Sequence, residues 1–381
     1  MNIAIIGKGT SSIITTLVLL KRGHNVTIFY DPQTPHINVG ESTTPHISTL
    51  IYQSLGLSIH KLVDLGIFSY KMGINFVNWG LGNSFHHNFQ GSNIGHHFET
   101  KKFNEFIHDY LEKNELVQYV SEKVDKYTLD NNTLIINSRI FDFVVNCAGW
   151  ENEENYIYPI FETVNSAVLF SDKLDYDNTH TLHLATEDGW QFGLPFPKKN
   201  IFKCGYLYNN TLISEEDVRK KVNKEIRGSF SWTPKYSKEL IKNSWVALNG
   251  NRLFFFEPLQ ALSLYYTLIF AEYIADYLDN PNQDNLNDLN FRYHYDIWQY
   301  QILLAYHYQF GSVYETEFWV DRKAKALEIM KYNLNGNHNI FESHLNYDLF
   351  NPKNQTFYSR IGCFDVEDHM YIYSGMVGKP Y

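Results

Sequence analysis

Near the start of the chain, Gly7-Lys8-Gly9-Thr10-Ser11-Ser12 follows a short apolar run at residues 3–6 and precedes a helical apolar stretch at 13–20. Two glycines one residue apart permit a tight turn and the close approach of a pyrophosphate, and the helix N-terminus behind them faces the anion. The third position of the pattern is Ser12, small but not glycine. Gly23 ends the helix, and residues 25–30 read as a second strand. Asp31, 22 residues beyond Gly9, takes the place of the acid that binds a ribose hydroxyl. The segment predicts dinucleotide binding and leaves FAD and NAD open. Lys71 lies in Tyr70-Lys71-Met72-Gly73-Ile74-Asn75-Phe76-Val77-Asn78-Trp79. On an extended strand Lys71, Gly73 and Asn75 share one face and Met72, Ile74 and Phe76 the other. That suits a cavity wall and equally an exposed face, since most lysines are solvated. Trp190 and Phe192, two apart, share a face as core rings or as a cavity wall. His86-His87 and His96-His97 suggest metal ligation. Neighbouring histidines on a strand point to opposite faces, however, and no carboxylate or cysteine accompanies them, so no metal site is expected. Gly40 to Thr44 is a small-residue loop. Thr44 is expected to cap a helix that begins at Pro45.

The elements that hold these residues begin as strand–helix–strand. A helix is expected over 102–113 and strands over 124–129, 133–137 and 140–145, with a turn at Asp130-Asn131-Asn132. Alternation between 160 and 210 predicts antiparallel sheet, and from Pro258 onward the pattern is mainly helical. With 381 residues, 44% hydrophobic, the chain is long enough for two or three lobes. The net charge of −10 with no basic block argues against nucleic acid as a partner. Three cysteines (Cys147, Cys204 and Cys363) are no disulfide framework, no secretory leader is evident, and a cytoplasmic location is expected. The most apolar stretch, 253–278, carries Glu257, Glu272 and Asp276, so it reads as a buried or amphipathic helix and no membrane association is expected. Of 62 aromatic residues, 28 Tyr, 27 Phe and 7 Trp, some are candidates to line a cavity.

Six segments then carry a resemblance. They are Val39-Gly40-Glu41-Ser42-Thr43-Thr44-Pro45, the Tyr70–Trp79 run, Gly189-Trp190-Gln191-Phe192-Gly193-Leu194-Pro195, Gly205-Tyr206-Leu207-Tyr208, Phe255-Phe256-Glu257-Pro258-Leu259, and His307-Tyr308 with Phe318-Trp319. In this order and spacing the chain, over about residues 1 to 320, resembles the flavin-dependent tryptophan halogenase family. The resemblance implies an α/β fold: an FAD-binding, monooxygenase-like lobe of Rossmann type with an interleaved antiparallel sheet lobe and a helical C-terminal part. The boundaries expected are 1–155 for the FAD lobe, including a catalytic-lysine segment at 66–89, 156–240 for the substrate-side sheet, and 241–381 for the return to the FAD lobe and the helical region. It also implies reduced FAD supplied by a separate, transiently bound reductase, then O2 and halide, and hypohalous acid passed to a lysine beside an aromatic small-molecule substrate. No second nucleotide fingerprint is present, which fits reductase dependence. By this resemblance Lys71 is the catalytic lysine. Gly7, Gly9, Thr10, Ser11, Ser12, Asp31, Gly40, Glu41, Ser42 and Thr43 bind the cofactor, the last four as a strap between flavin and substrate. His87 and Phe89 line the substrate pocket, and Trp190 and Phe192 form the barrier against hydroxylase activity. Phe192 stands where the family has Trp.

The departure with most chemical weight follows Leu259. The family continues Glu-Ser-Thr-Gly, its Glu a second catalytic residue and its Thr-Gly amides the halide site. Here the residues are Gln260, Ala261, Leu262 and Ser263. Glutamine can hydrogen-bond hypohalous acid but cannot take a proton as a carboxylate does. Leu262 and Ser263 keep amides for halide, while loss of Gly affects the turn. Three readings follow: a halogenase for electron-rich substrates, a related flavin enzyme such as a hydroxylase, and a non-catalytic flavin-binding protein. The family is usually longer at its C-terminus, so a more open pocket accepting several aromatic substrates is expected. The substrate, the halide, the regiochemistry and a homo-oligomeric state are left open.

Overall fold

The computed structural model describes the chain except residues 35–39, 82–83, 90–93, 131–132, 150–154, 175–178, 336–359, 362–363 and 379–381. Val39, the Asn131-Asn132 turn and Cys363 therefore lie outside the described residues. Two compact units are present, each built from three chain segments. One comprises Met1–Phe68, His96–Tyr158 and Lys235–Asp296, the other Ser69–Gly95, Pro159–Pro234 and Ile297–Tyr381.

The first unit centres on a six-stranded sheet in the order Ile241–Lys242, Val246–Leu248, Phe143–Asn146, Asn2–Ile6, Asn25–Phe29, Val117–Val120. All neighbours are parallel except the first pair. Ile3, Ala4 and Ile5 are fully buried, as a continuous apolar run in a parallel sheet covered on both faces requires. Helix Thr10–Lys21 packs on helix Leu262–Asp279. Arg22, just past the end of the first helix, bonds Glu272, Asp276 and Asp279. Spacings of four and three residues put these acids along one face, so two of the charges that argued against a membrane span in the sequence are ion-pair partners. No described helix is long and apolar enough to cross a membrane.

The second unit is built on a seven-stranded sheet ordered Ile226–Ser231, Ser166–Lys173, Ile201–Tyr208, Gly189–Phe196, His180–Thr186, Gly73–Val77, Phe85–Asn88. It is antiparallel apart from the His180–Thr186 and Gly73–Val77 pair. Its register sets Leu169, Gly205, Phe192, His183, Phe76 and Phe85 side by side. Residues opposite one another project from the same face, so an aromatic row crosses four strands. Helix Val366–Val377 packs against strand Phe85–Asn88.

Several expected boundaries need correction. The Tyr70–Trp79 run is not one strand: Phe68–Lys71 and Gly73–Val77 are separate, with exposed Met72 between them. The 140–145 stretch divides at Asp142, whose side chain accepts from the Asn2 amide; Arg139–Phe141 joins a three-stranded meander and Phe143–Asn146 the central sheet. The strand expected from 124 begins at Tyr127. The 253–278 stretch is a short strand, Phe254–Phe255, and a turn before the helix begins at Leu262. Thr44 does precede a helix, Pro45–Leu55, but its side chain makes no capping bond; its hydroxyl lies 3.4 Å from His46 Nδ1.

Candidate active site

In the first unit, the strand Asn2–Ile6 runs into Gly7 (φ 111°), where a Cβ would sit 2.9 Å from the Cys147 carbonyl oxygen. Only glycine fits that approach. Gly9 occupies the N-cap of helix Thr10–Lys21 without a side-chain cap, and nothing lies within 4 Å of where its Cβ would be. Open space before uncapped amides at a positive helix end is a cradle for a diphosphate. Thr10 donates to Asn104 and the Ser12 hydroxyl to the Gly9 carbonyl, fixing the first turn. Asp31 follows the second strand, accepting from the Gln33 amide. The strap strand Gly40–Ser42 pairs with Gly95–Glu99. Glu41 accepts from the Thr100 hydroxyl at 3.1 Å, yet burial raises its carboxyl from 4.5 to about 7. The Ser42 hydroxyl is buried without a hydrogen-bond partner among the described residues. An open backbone cradle with unspent polar groups fits a dinucleotide.

At the other end of this unit, Gln260 (φ 64°) and Ala261 (φ 58°) are both left-handed. Helix Leu262–Asp279 starts directly after them and also lacks a side-chain cap, so the amides of Leu262 and Ser263 stand at its N-terminus. Two successive non-glycine residues thus hold the left-handed turn that opens this helix. His96 belongs to this unit too; burial lowers it to about 4, and its partner is the Ser48 hydroxyl at 2.7 Å.

In the second unit, Lys71 is 1% exposed. Its Nζ lies 5.3 Å from the centre of the Phe89 ring, and the His87 ring stands 5.6 Å from the same ring. Strand pairing explains this proximity: His87 faces Ile74, and the Phe89 amide donates to the Met72 carbonyl. Gly73 is needed here, because a Cβ would lie 2.4 Å from the His87 carbonyl oxygen. His86 is exposed and His87 buried, as alternation requires. Contrary to the expectation from sequence, a carboxylate does accompany these histidines: Asp368 Oδ1 accepts from His87 Nε2 at 2.8 Å. No group of three or more potential ligands able to hold a metal occurs among the described residues.

Around them lie Phe76, Trp79, Trp190, His183 and His307, all buried. Phe76 meets His183 edge-on at 5.2 Å and stacks with His307 at 5.9 Å, and Trp190 lies 4.9 Å from His183. Burial lowers His183 well below its usual range, helped by the charge of Lys71; burial takes His307 to about 4. Both rings are thus neutral at pH 7. The indole nitrogens of Trp79 and Trp190 and Nδ1 of His183 are buried without hydrogen-bond partners among the described residues. Phe192 is half-buried, its ring over Gly205, where a Cβ would fall 2.3 Å from it. A buried cation amid neutral rings and unspent donors is suited to hold a polar electrophile beside a flat aromatic molecule. Of the residues singled out from sequence, the fold groups Lys71, His87 and Phe89 in this cluster, with Trp190 beside His183. Asp368 and the close packing of His183 carried no sequence signal, because both depend on tertiary pairing.

A parallel sheet with the Gly7–Gly9 turn and a large, mostly antiparallel second sheet make up the α/β fold that this chain shares with solved halogenase structures. The family model described as tryptophan halogenase matches residues 2–158 and 90–377, and the chain belongs to that family. Tryptophan 6-halogenase ThaL of Streptomyces albogriseolus is 20% identical, over 86% of this chain and 79% of its own length. Tryptophan 7-halogenase RebH of Lentzea aerocolonigenes is 21% identical over 57% of each chain. Among solved structures, tryptophan halogenase from Shewanella frigidimarina aligns with a TM-score of 0.81 at 17% identity, covering 100% of this chain and 89% of its own. BrvH, a flavin-dependent halogenase from Brevundimonas sp., aligns at 0.78 and 16% identity, covering 99% and 90%. At these identities the solved structures establish the shared fold.

Proposed function

We propose that this protein is an FADH2-dependent halogenase acting on an electron-rich aromatic substrate through Lys71. When bound, reduced FAD supplies, with O2, the oxidation of halide to hypohalous acid. The unit containing Met1–Phe68 is assigned the cofactor. Gly7 and Gly9 with the amides of Thr10, Ser11 and Ser12 receive the diphosphate, Asp31 the ribose, and Gly40, Glu41, Ser42 and Thr43 flank the flavin. Leu262 and Ser263 donate to halide. The unit beginning at Ser69 is assigned the substrate. His87, Phe89, Trp190 and Phe192 line its pocket, and Lys71 holds and polarises hypohalous acid so that the halogen is transferred to the ring. The observation that carries this reading is the placement of Lys71: its ammonium, in a residue 1% exposed, stands against the Phe89 ring and beside His87, where a flat aromatic substrate can stack. A separate reductase and a cytoplasmic location complete the proposal; Cys147 and Cys204 are free and buried, which suits a reducing compartment.

Gln260 favours a second reading, a flavin-binding protein without catalysis. Both are tested with a flavin reductase, chloride, bromide and iodide in turn, and a panel of indoles and phenols including free tryptophan, read by mass spectrometry. A halogenated product from the wild type that is lost in Lys71→Ala supports the halogenase. Hydroxylated product points to a flavin hydroxylase, and flavin binding without product under every halide favours the second reading.

A further inference from the structure

We infer that His87 is the proton acceptor of this reaction, with Asp368 as its positioning residue, in the role that Gln260 cannot fill. The inference rests on the halogenase reading and goes beyond it, because it assigns a base that is positioned by a carboxylate from the C-terminal part of the chain.

The geometry is that of a carboxylate–imidazole pair. Asp368 Oδ1 lies 2.8 Å from His87 Nε2. An ionised carboxylate only accepts, so Nε2 carries the hydrogen and the lone pair of the neutral ring is at Nδ1. His87 is fully buried, whereas Asp368 keeps 20% of its side chain exposed. Lys71 and His87 both stand against Phe89, at 5.3 and 5.6 Å. A flat substrate beside Phe89 thus has the halogen-holding ammonium and an imidazole within one neighbourhood. His183 and His307 are the other imidazoles here. Both are held neutral by burial, and Nδ1 of His307 is engaged with the Leu303 carbonyl.

The helix Val366–Val377 that carries Asp368 is seated firmly. The Leu81 amide donates to the Met376 carbonyl at 3.0 Å, and Gly80 and Gly375 allow contacts that a Cβ would block, against Met376 and the Phe85 ring. The position of Asp368 is thus a consequence of packing over several residues.

The step balances as follows. The ring carbon forms a bond to the halogen of hypohalous acid as the O–X bond breaks, and the hydroxide takes a proton from the Lys71 ammonium to leave as water. The halogenated cation loses its ring proton to His87 Nδ1, the C–H pair restoring aromaticity. The imidazolium, stabilised by Asp368, releases the proton towards water, and Lys71 is reprotonated.

The test compares wild type, His87→Gln and Asp368→Asn, each with ring-protonated and ring-deuterated substrate. Flavin binding is the check on folding. In Asp368→Asn the turnover is expected to fall about tenfold or more, with a primary deuterium isotope effect that the wild type lacks, because proton loss becomes limiting. His87→Gln is expected to lose turnover at least as far, with the same isotope effect on whatever product remains. Two results overturn the inference while leaving the halogenase standing. One is an active wild type with Asp368→Asn unchanged in rate and isotope effect, and the other is His87→Gln keeping wild-type turnover without an isotope effect. A wild type that makes no halogenated product with any substrate overturns the halogenase reading, and the inference with it.

Discussion

Lys71 gives up its hydration at 1% exposure, and its Nζ stands 5.3 Å from the centre of the Phe89 ring, within reach of the ring quadrupole. On the proposed reading Lys71 serves function at the expense of stability. Lys71→Met keeps a long unbranched side chain and removes the buried charge. The expected outcome is loss of product with a thermal midpoint equal to or above that of the wild type, measured by a product assay and a melt on the same sample. Glu41 gives a pH-dependent counterpart. Its carboxyl is raised from 4.5 to about 7 by burial, against the opposing bonds from Thr100 and Thr10. Below the unfolded value it is protonated in both states and costs nothing. The penalty grows as pH rises above 4.5 and is complete above about 7. At pH 8 Glu41→Gln should therefore be more stable than wild type, and near pH 5 the two should converge. The gap has an upper bound of about 3 kcal/mol and is smaller in practice because Glu41 is only half-buried. Urea unfolding at both pH values measures it; equal stability at pH 8 would discard the buried-carboxyl account.

At the scale of elements, the turn before helix Leu262–Asp279 holds two successive non-glycine residues at positive φ, each at a cost of about 1 kcal/mol or more. Ala261→Gly should stabilise the protein by about 0.5–1 kcal/mol, read as a small rise in unfolding midpoint with unchanged denaturant slope. The opposite change is forbidden at Gly205: a methyl there meets the Phe192 ring at 2.3 Å, so Gly205→Ala should cost about 1–3 kcal/mol by displacing that ring. These elements also show where sequence reading reaches its limit. The nucleotide strand, its helix and the antiparallel middle were legible because apolar periodicity and glycine spacing are local signals. The breaks at Met72 and Asp142 were not, since each marks a chain passing from one sheet to another, and period-two alternation continues across both. The motif around Lys71 identified the residue, but its burial comes from partners on other strands. Asp368 lies 281 residues from His87, and no spacing rule spans such a distance.

At the scale of the whole molecule, the connectivity decides what can fold alone. The unit with the nucleotide loop takes strands from Met1–Phe68 and His96–Tyr158, but also needs Lys235–Asp296. That last segment contributes Ile241–Lys242 and Val246–Leu248 at one edge of the central sheet, and helix Leu262–Asp279. It also contributes Asn249, whose amide bonds the Thr15 hydroxyl and the Thr267 carbonyl, and Gly250, which approaches Ser11 so closely that a Cβ would lie 2.0 Å from its hydroxyl. A fragment of residues 1–234 keeps the Gly7–Gly9 loop but loses every one of these contacts. It uncovers Val144 along the sheet edge and the buried face of helix Thr10–Lys21, including Ile13, Ile14, Leu17 and Val18. Such apolar surface is not tolerated in water and an unpaired edge invites association. Hence the fragment should be aggregated or unfolded and should not bind FAD, although it carries the complete sequence fingerprint. The full chain should gain stability with added FAD in proportion to the logarithm of its concentration, about 2.7 kcal/mol at a hundredfold excess over Kd. Circular dichroism and flavin titration of both species decide the matter. A folded 1–234 fragment that binds FAD would show that the nucleotide loop and its helix are held by local contacts alone, and that the third segment is dispensable to the site it completes.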